Sequence, residues 1–590
     1  MRKDPDTGEP EIRMLPGSIR VRNQNGSGLG RVPSRAFREQ GRKITPEDSF
    51  AHGTGCLHPA DRPLALTTSE SVRGSAPRAD HERERTLSSG GSARAAVERQ
   101  AQLIDLLRQL WPYLLTAAYL LVAAVASAPV VLYKRDVRAA IGWVGLIWFS
   151  PFLGAILYLF FGINRLRRKA TRELEQDSAA ELLPQLATPA GTGLPEPDEA
   201  AFVEGTEPHL LGLGQFVGRA TGVPLTPGNL IEPLVNGDEA YPAMLEAITG
   251  ARHSVALCSY IFDNDRAGLM FLDALGDAVC RGVEVRVLID SVGARYSRPQ
   301  ITELLAAGGI TVAKFLDSPI PLRNPYVNLR NHRKIMVVDG RLAFTGGMNI
   351  REGCLLRRDP PHPVQDLHFR VEGPVVREIM DAFTADWNFT TQERLEGEDW
   401  YPKIPRRGET VARGIPDGPD EDFETIRWAI HGALSAAQRS VSIVTPYFLP
   451  DQSLITALNM AAMRGVEVDL VLPETGNLRF VQWASEAQFW QVLERGCRIW
   501  LSPPPFDHTK IMLIDDAWAM VGSANWDPRS LRLNFEFNVE CYDAELAAGL
   551  ARFVAEKRGS SRELTLEEVN GRSLPTKLRD GVARLFSPYL

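Results

Sequence analysis

Cysteine is scarce. Six residues of 590 carry a thiol (Cys56, Cys258, Cys280, Cys354, Cys497 and Cys541), and no two are spaced CxxC or CxxxC. That excludes a disulfide framework and a zinc site built on paired thiols, so reduced core or surface cysteines are expected. A basic excess is missing too: 66 Lys and Arg stand against 73 Asp and Glu, a net charge of −7. This argues against a nucleic-acid partner. No secretory signal peptide follows Met1. Aromatic residues are few in the first hundred positions, which are rich in Gly, Ser, Pro, Arg and Glu. Such a stretch cannot bury enough apolar surface to offset its chain entropy. Residues 1–105 are therefore expected to form a disordered polar tail, or to reflect a translation start placed too early.

What the chain does have is uncharged length. Leu110 to Tyr133 reads LWPYLLTAAYLLVAAVASAPVVLY, and Ala139 to Asn164 reads AAIGWVGLIWFSPFLGAILYLFFGIN. Each exceeds the roughly 18–20 residues that cross a hydrocarbon core. Residues 110–164 are expected to be two transmembrane helices, with Trp111, Tyr113, Tyr133, Trp143 and Tyr158 as interfacial anchors. Pro129 and Pro151 suit a membrane better than a soluble helix. A buried helical hairpin is the other reading. Arg165, Arg167, Arg168, Lys169 and Arg172 follow the second run, and Arg99 and Arg108 precede the first. The positive-inside rule then puts both termini and the large C-terminal region in the cytoplasm. Residues 165–205, acidic and Pro/Gly-containing from 173, read as a linker. At the other end, residues 571–590 form an amphipathic segment. Leu578, Val582, Leu585 and Phe586 fall at helical spacing, suited either to a membrane surface or to packing on the lobe before it.

Histidine is rare, at 10 residues, yet one phrase built on it occurs twice. Residues 331–340 read NHRKIMVVDG and 507–516 read DHTKIMLIDD. Both contain His-x-Lys-x4-Asp: His332, Lys334, Asp339, then His508, Lys510, Asp515, each pair 176 apart (508 − 332, 510 − 334, 515 − 339). A single accidental copy is expected in about one chain of this length in a hundred. The likeness extends upstream, with RGVEVRVLID (281–290) against RGVEVDLVLP (464–473) and SVALCSYIF (254–262) against SVSIVTPYF (440–448). Short β-branched runs alternate with helical ones. The fold class is therefore α/β: two homologous lobes, 206–400 and 401–570, each a mostly parallel sheet flanked by helices.

On a strand, His332 and Lys334 would share a face, as would His508 and Lys510. A pseudo-twofold between the lobes would then join two His and two Lys in one site. Asp339 and Asp515, the last members of this candidate catalytic set, lie an odd number of residues beyond Lys. They should point away and anchor the turn. With no metal-ligand cluster, the set suits a phosphodiester. The lysines neutralise phosphoryl oxygens as charge builds. One neutral His attacks phosphorus, and the other, protonated, serves the leaving alkoxide and then the incoming alcohol. Opposite protonation states are thus expected. Asn349 (TGGMN) and Asn525 (VGSAN), also 176 apart, could donate to phosphoryl oxygens. Gly346, Gly347, Gly522 and Ser523 would allow close backbone approach or simply make a tight turn. Asp366 and Glu536 follow the two repeats at similar places; each could orient a His, or be an ordinary strand-edge acid. His253, His362, His368 and His431 have no repeat counterpart and read as structural. Arg323, Arg330 and Arg333 could attract anionic headgroups or form a solvated loop.

These paired motifs, with their Gly-Gly-Met-Asn and Gly-Ser-Ala-Asn tails, resemble the hallmark of the phospholipase D superfamily. Within it, the membrane hairpin with WFSPFLGAILYLFFG, the phrase DPRSLRLNFE (527–536) and the terminal RLFSPYL are similar to bacterial cardiolipin synthases. The resemblance runs from about Leu110 to Leu590; the long polar N-terminus departs from it. It implies transfer of a phosphatidyl group between two phosphatidylglycerol molecules, giving cardiolipin and glycerol through a phosphohistidine. It also implies a multi-pass protein of the bacterial inner membrane that binds anionic phospholipid, with cytoplasmic lobes and neither cofactor nor metal. His332 would be the nucleophile and His508 the acid/base, although the sequence leaves the swap open. Exchange of equivalent phosphodiesters is nearly isoenergetic and needs no activated nucleotide; water is the competitor. The alternative is a membrane-anchored phospholipase D in which water resolves the same intermediate to phosphatidic acid.

Overall fold

The computed structural model describes residues 87–134, 137–159, 207–317, 329–419 and 423–587. The 165–205 linker, Phe160–Asn164, Arg323 and residues 1–86 lie outside them.

The first apolar run is one helix, Leu87–Tyr133. It begins within the span expected to be polar tail. Its Arg99–Leu132 section is long and apolar enough to cross a membrane. The second run is not one continuous helix: Val137–Phe149 ends before Ser150, and Pro151 opens Pro151–Leu157. Proline fits that first-turn position because the N–H it lacks has no intrahelical acceptor there. Ile147 and Tyr158 pack against Ala123 and Val130 of the long helix.

The lobes correct the expectation of two mostly parallel sheets. They share one mixed sheet. In the first lobe Ser254–Ser259, Glu284–Asp290 and Thr311–Phe315 run parallel. Ile335–Val338 and Leu342–Gly346 then form a hairpin antiparallel to Ser254–Ser259. A connection as short as Asp339–Arg341 cannot return a parallel strand, which needs a crossover. The second lobe repeats this with Ser440–Val444, Glu467–Pro473, Arg498–Ser502 and the hairpin Ile511–Ile514/Trp518–Gly522. Leu367–Glu372 and Asn534–Tyr542 follow the hairpins. Between these two strands lie Thr226–Val235 and Thr410–Asp417, paired antiparallel, which close the sheet across the lobes.

Local chemistry sets the ends of the crossover helices. Asp265 accepts from Gly268 N–H at the start of Arg266–Cys280, and Asp451 from Ser453 and Leu454 N–H at the start of Gln452–Met463. Each satisfies donors the helix leaves unpaired. One segment crosses the expected boundary at residue 400. Helix Pro208–Thr221, assigned by sequence to the first lobe, buries Leu210, Leu213 and Val217 in the core of the second, with Ala429, Ile430 and Ala433.

Candidate active site

Each motif is positioned from the opposite lobe. Arg330–Asn331 pairs in parallel with Asn534–Phe535, and Phe506–Asp507 with Val364–Gln365. His332 N–H donates to Phe535 C=O at 2.9 Å, and His508 N–H to Gln365 C=O at 2.8 Å. The His-x-Lys residues are not strand residues, as the repeat suggested. They occupy irregular links between these two-residue strands and the hairpins.

The crossing brings each imidazole to an acid of the other repeat. His332 Nδ1 lies 3.0 Å from the Glu536 carboxylate, and His508 Nδ1 lies 2.7 Å from Asp366 Oδ2. An ionised carboxylate only accepts, so Nδ1 carries the proton and Nε2 is left with its lone pair. His332, His508, Asp366, Asn349 and Asn525 line one cavity of about 600 Å³ between the lobes. Lys334, Lys510 and Glu536 are buried beside it. Lys334 Nζ donates to His332 C=O and Lys510 Nζ to His508 C=O, both at 2.5 Å.

Burial governs the protonation states. It pulls the Lys334 ammonium down to about 7, against the opposing field of Glu536, and Lys510 down to about 8, against Asp366 and Glu536. It lowers His332, with Glu536 opposing, and takes His508 to about 4, with Lys510 adding to the shift. Burial pushes Asp366 and Glu536 up, but His508 and His332 outweigh it and both end lowered. Burial thus favours neutral imidazoles, and the paired carboxylates stay on the ionised side. Burial acts in the same direction on both imidazoles, more strongly on His508 than on His332. A phosphodiester anion entering the cavity favours the protonated imidazole and ammonium forms, so the acid takes its proton from solvent as the substrate binds.

Asp339 and Asp515 do not join the cavity. Four hairpin residues separate each from its lysine, roughly 15 Å along a strand. Asp339 accepts from Arg252, His253 and Ser254 N–H at 2.7–3.1 Å. Asp515 accepts from Gln438, Arg439 and Ser440 N–H at 2.7–2.9 Å, and His209 Nε2 lies 2.8 Å from it. Both sit in the hairpin turn, beyond strands that leave the lysines outside, and their carboxylates anchor the start of the neighbouring strand. The asparagines differ from each other. Asn349 Oδ1 accepts from Ile261 N–H at 3.0 Å, while Asn525 Nδ2 donates to Ser530 Oγ at 3.1 Å.

The turn glycines leave room for Asp366 and His368. A Cβ on Gly347 would sit 2.5 Å from Asp366 Oδ1, and one on Gly346, at φ +148°, would meet His368 Nδ1 at 2.7 Å. At the position equivalent to Gly347, Ser523 Oγ donates to Glu536 Oε2 at 2.5 Å. Arg333 is not a headgroup ligand: it is buried and paired with Asp386 at 2.8 Å. Arg330 does line the cavity, together with Arg529, Tyr260 and Tyr447. Tyr260 packs 5.0 Å from His332, and Tyr447 lies 6.5 Å from His508. These last three were missed as site residues. Both tyrosines stand in the parallel phrases SYIF and TPYF, which carried the signal. Among the described residues no three His, Cys, Asp or Glu side chains converge as a metal site.

Residues 244–387 and 430–556 match the family model described as cardiolipin synthase, PLD-like domain, and residues 120–162 match the phospholipase D-nuclease N-terminal model. A cardiolipin synthase of Geobacillus thermodenitrificans is 32% identical over 464 residues, 78% of this chain and 90% of that one. The major cardiolipin synthase ClsA of Bacillus subtilis is 32% identical over 471 residues, 78% of this chain and 96% of that one. Among solved structures, a phosphatidylserine synthase of Haemophilus influenzae superposes with a TM-score of 0.51 at 16% identity, over 63% of this chain and 100% of that one. That likeness shows a shared fold. The relatives over most of the chain carry more: this chain belongs to the cardiolipin synthases of the phospholipase D superfamily.

Proposed function

We propose that the cavity transfers a phosphatidyl group from one phosphatidylglycerol to another, giving cardiolipin and glycerol. The observation that carries this reading is the crossed pair of His–carboxylate contacts, which prepares two imidazoles for one cavity. His332 Nε2 attacks phosphorus, the bond to the glycerol headgroup oxygen breaks, and His508 gives that oxygen a proton. A phosphohistidine remains. The terminal hydroxyl of a second phosphatidylglycerol loses its proton to His508 and attacks phosphorus; the N–P bond breaks and His332 is restored. Lys334 and Lys510 oppose the charge that builds on the phosphoryl oxygens. Arg330 and Arg529, facing the same cavity, favour an acceptor that is itself anionic.

The site is held at a bacterial inner membrane. The helix Arg99–Leu132, long and apolar enough to cross a membrane, would be one span, and the second apolar run, whose Ile147 and Tyr158 pack on it, would be the other. Arginine and lysine outside both ends put the lobes in the cytoplasm. A lipid product assay tests the reaction. Full-length protein in phosphatidylglycerol vesicles, followed by mass spectrometry, should yield cardiolipin and free glycerol in equal amounts. Phosphatidic acid with glycerol would show that water resolves the intermediate, and a hydrolase would replace this reading.

A further inference from the structure

The C-terminal helix Leu574–Arg584 has two faces with different fates. One face is spent inside the protein. Ala583 packs with Ala484 and Leu449, and buried Asp580 pairs with Arg572 at 2.8 Å and Arg579 at 2.7 Å. The other face, continued into the turn that follows, is apolar and open. Leu574, Leu578, Val582, Leu585 and Phe586 are 68%, 61%, 55%, 76% and 50% exposed. The steps of 3, 4 and 8 residues line them up along one stripe. Lys577 and Arg584 flank it on one side, and Arg579, stacked 4.4 Å over Trp483, on the other.

The stripe does not end with its own helix. Phe586 meets Phe480 of Arg479–Glu486 at 5.6 Å between ring centroids. Phe480 and Leu478 are both exposed. Leu478 and Val481 in turn line the cavity that holds His332 and His508. One apolar surface therefore runs from Leu574 to the cavity wall, edged with cations.

We propose that this surface docks on an anionic lipid leaflet: helix Leu574–Arg584, with Leu478 and Phe480, lies in the bilayer interface and sets the cavity mouth against it. The inference rests on the phosphatidyl-transfer reading for what passes through the mouth. Three observations choose a bilayer as the occupant. The stripe is continuous with the wall of a cavity in an enzyme whose family makes a phospholipid. Its flanks are basic, which complements anionic headgroups. The same chain carries a helix of membrane-spanning length, so a leaflet is close at hand. A diacyl lipid could then slide along Phe586, Phe480 and Leu478 into the cavity without exposing its chains to water.

The test uses the full chain reconstituted in vesicles of phosphatidylglycerol and phosphatidylcholine. An environment-sensitive fluorophore is attached at Val582→Cys, with Cys56 and Cys280 replaced by Ser, and quenched by nitroxides fixed at known depths in the lipid. The proposal expects quenching by shallow nitroxides and loss of that quenching in Leu578→Asp/Leu585→Asp. The same double variant should lose about tenfold or more of its rate on vesicle phosphatidylglycerol. On short-chain phosphatidylglycerol dissolved as monomers it should stay within about twofold of the parent, since no docking is needed there. A label that no nitroxide quenches overturns the proposal, whether water or a second protein copy then covers the stripe. Equal loss on both substrates overturns it as well, because the helix would then support the fold alone. Quenching without any cardiolipin leaves docking standing and removes the transfer reading, so the two fail separately.

Discussion

His332 is held by Glu536, an acid of the other lobe, at 3.0 Å. The exchange is reciprocal, since Asp366 of the first lobe holds His508 at 2.7 Å. Neither lobe supplies both members of either cavity imidazole–carboxylate pair. The active site exists only where the two lobes close on each other.

Replacing Glu536 by Gln removes the charge that orients and balances the His332 ring, and Asp366→Asn does the same to His508. Each should lower transfer roughly hundredfold or more. His332→Ala and His508→Ala should each abolish it, and the nucleophile's variant should trap no phosphoryl-enzyme from radiolabelled lipid. Because the pairing is crossed, Glu536→Gln must follow His332→Ala in this trapping assay. If it follows His508→Ala instead, the assignment is wrong.

Stability and activity should depend on pH in opposite ways. Burial holds Lys334 at about 7 and Lys510 at about 8, against an ordinary 10.5. Over the window from there to the ordinary value the unfolded chain binds more protons than the folded one. Stability therefore rises with pH, while transfer, which uses charged lysines, declines. Thermal melts and initial rates across this range check both slopes, and Lys334→Met should flatten the first. Slopes of the same sign would mean that the lysines are not buried cations.

Gly347→Ala should be more damaging than so small a change suggests. Its Cβ would stand 2.5 Å from Asp366 Oδ1, displacing the carboxylate that holds His508. Ser523→Ala at the equivalent turn removes one hydrogen bond to Glu536 and adds no clash. The expected rate losses are about hundredfold for the first and about threefold to tenfold for the second. Circular dichroism should be unchanged in both. Equal losses would show that the clash relaxes.

Asp339→Asn and Asp515→Asn test the anchors. Each carboxylate accepts three backbone N–H groups, and an amide in its place presents donors to donors. Each variant should lose about 1–3 kcal/mol of stability, read from the urea midpoint. Below that midpoint its transfer rate should stay close to that of the parent. A stable but inactive variant would return these acids to the chemistry.

What the sequence determines by itself here is local and periodic. The constant offset of 176 names the motif residues and their equivalence. The four apolar residues between each lysine and Asp339 or Asp515 mark a short strand that carries these acids to its far end. The uncharged run from Leu110 marks a helix able to cross a membrane. These signals need only neighbours along the chain, or a comparison of one repeat with the other.

Only the tertiary structure decides which acid serves which histidine. Asp366 and Glu536 are 170 apart, so they too look like a matched pair, each belonging to its own repeat. Their crossing follows from pairings more than a hundred residues distant, Arg330–Asn331 with Asn534–Phe535 and Phe506–Asp507 with Val364–Gln365, which no local pattern encodes. The single mixed sheet, the helix Pro208–Thr221 lent to the second lobe and the lowered lysine pKa values are of the same kind. Each depends on burial, and burial is a property of the closed fold, where desolvation and distant charges act on a side chain together.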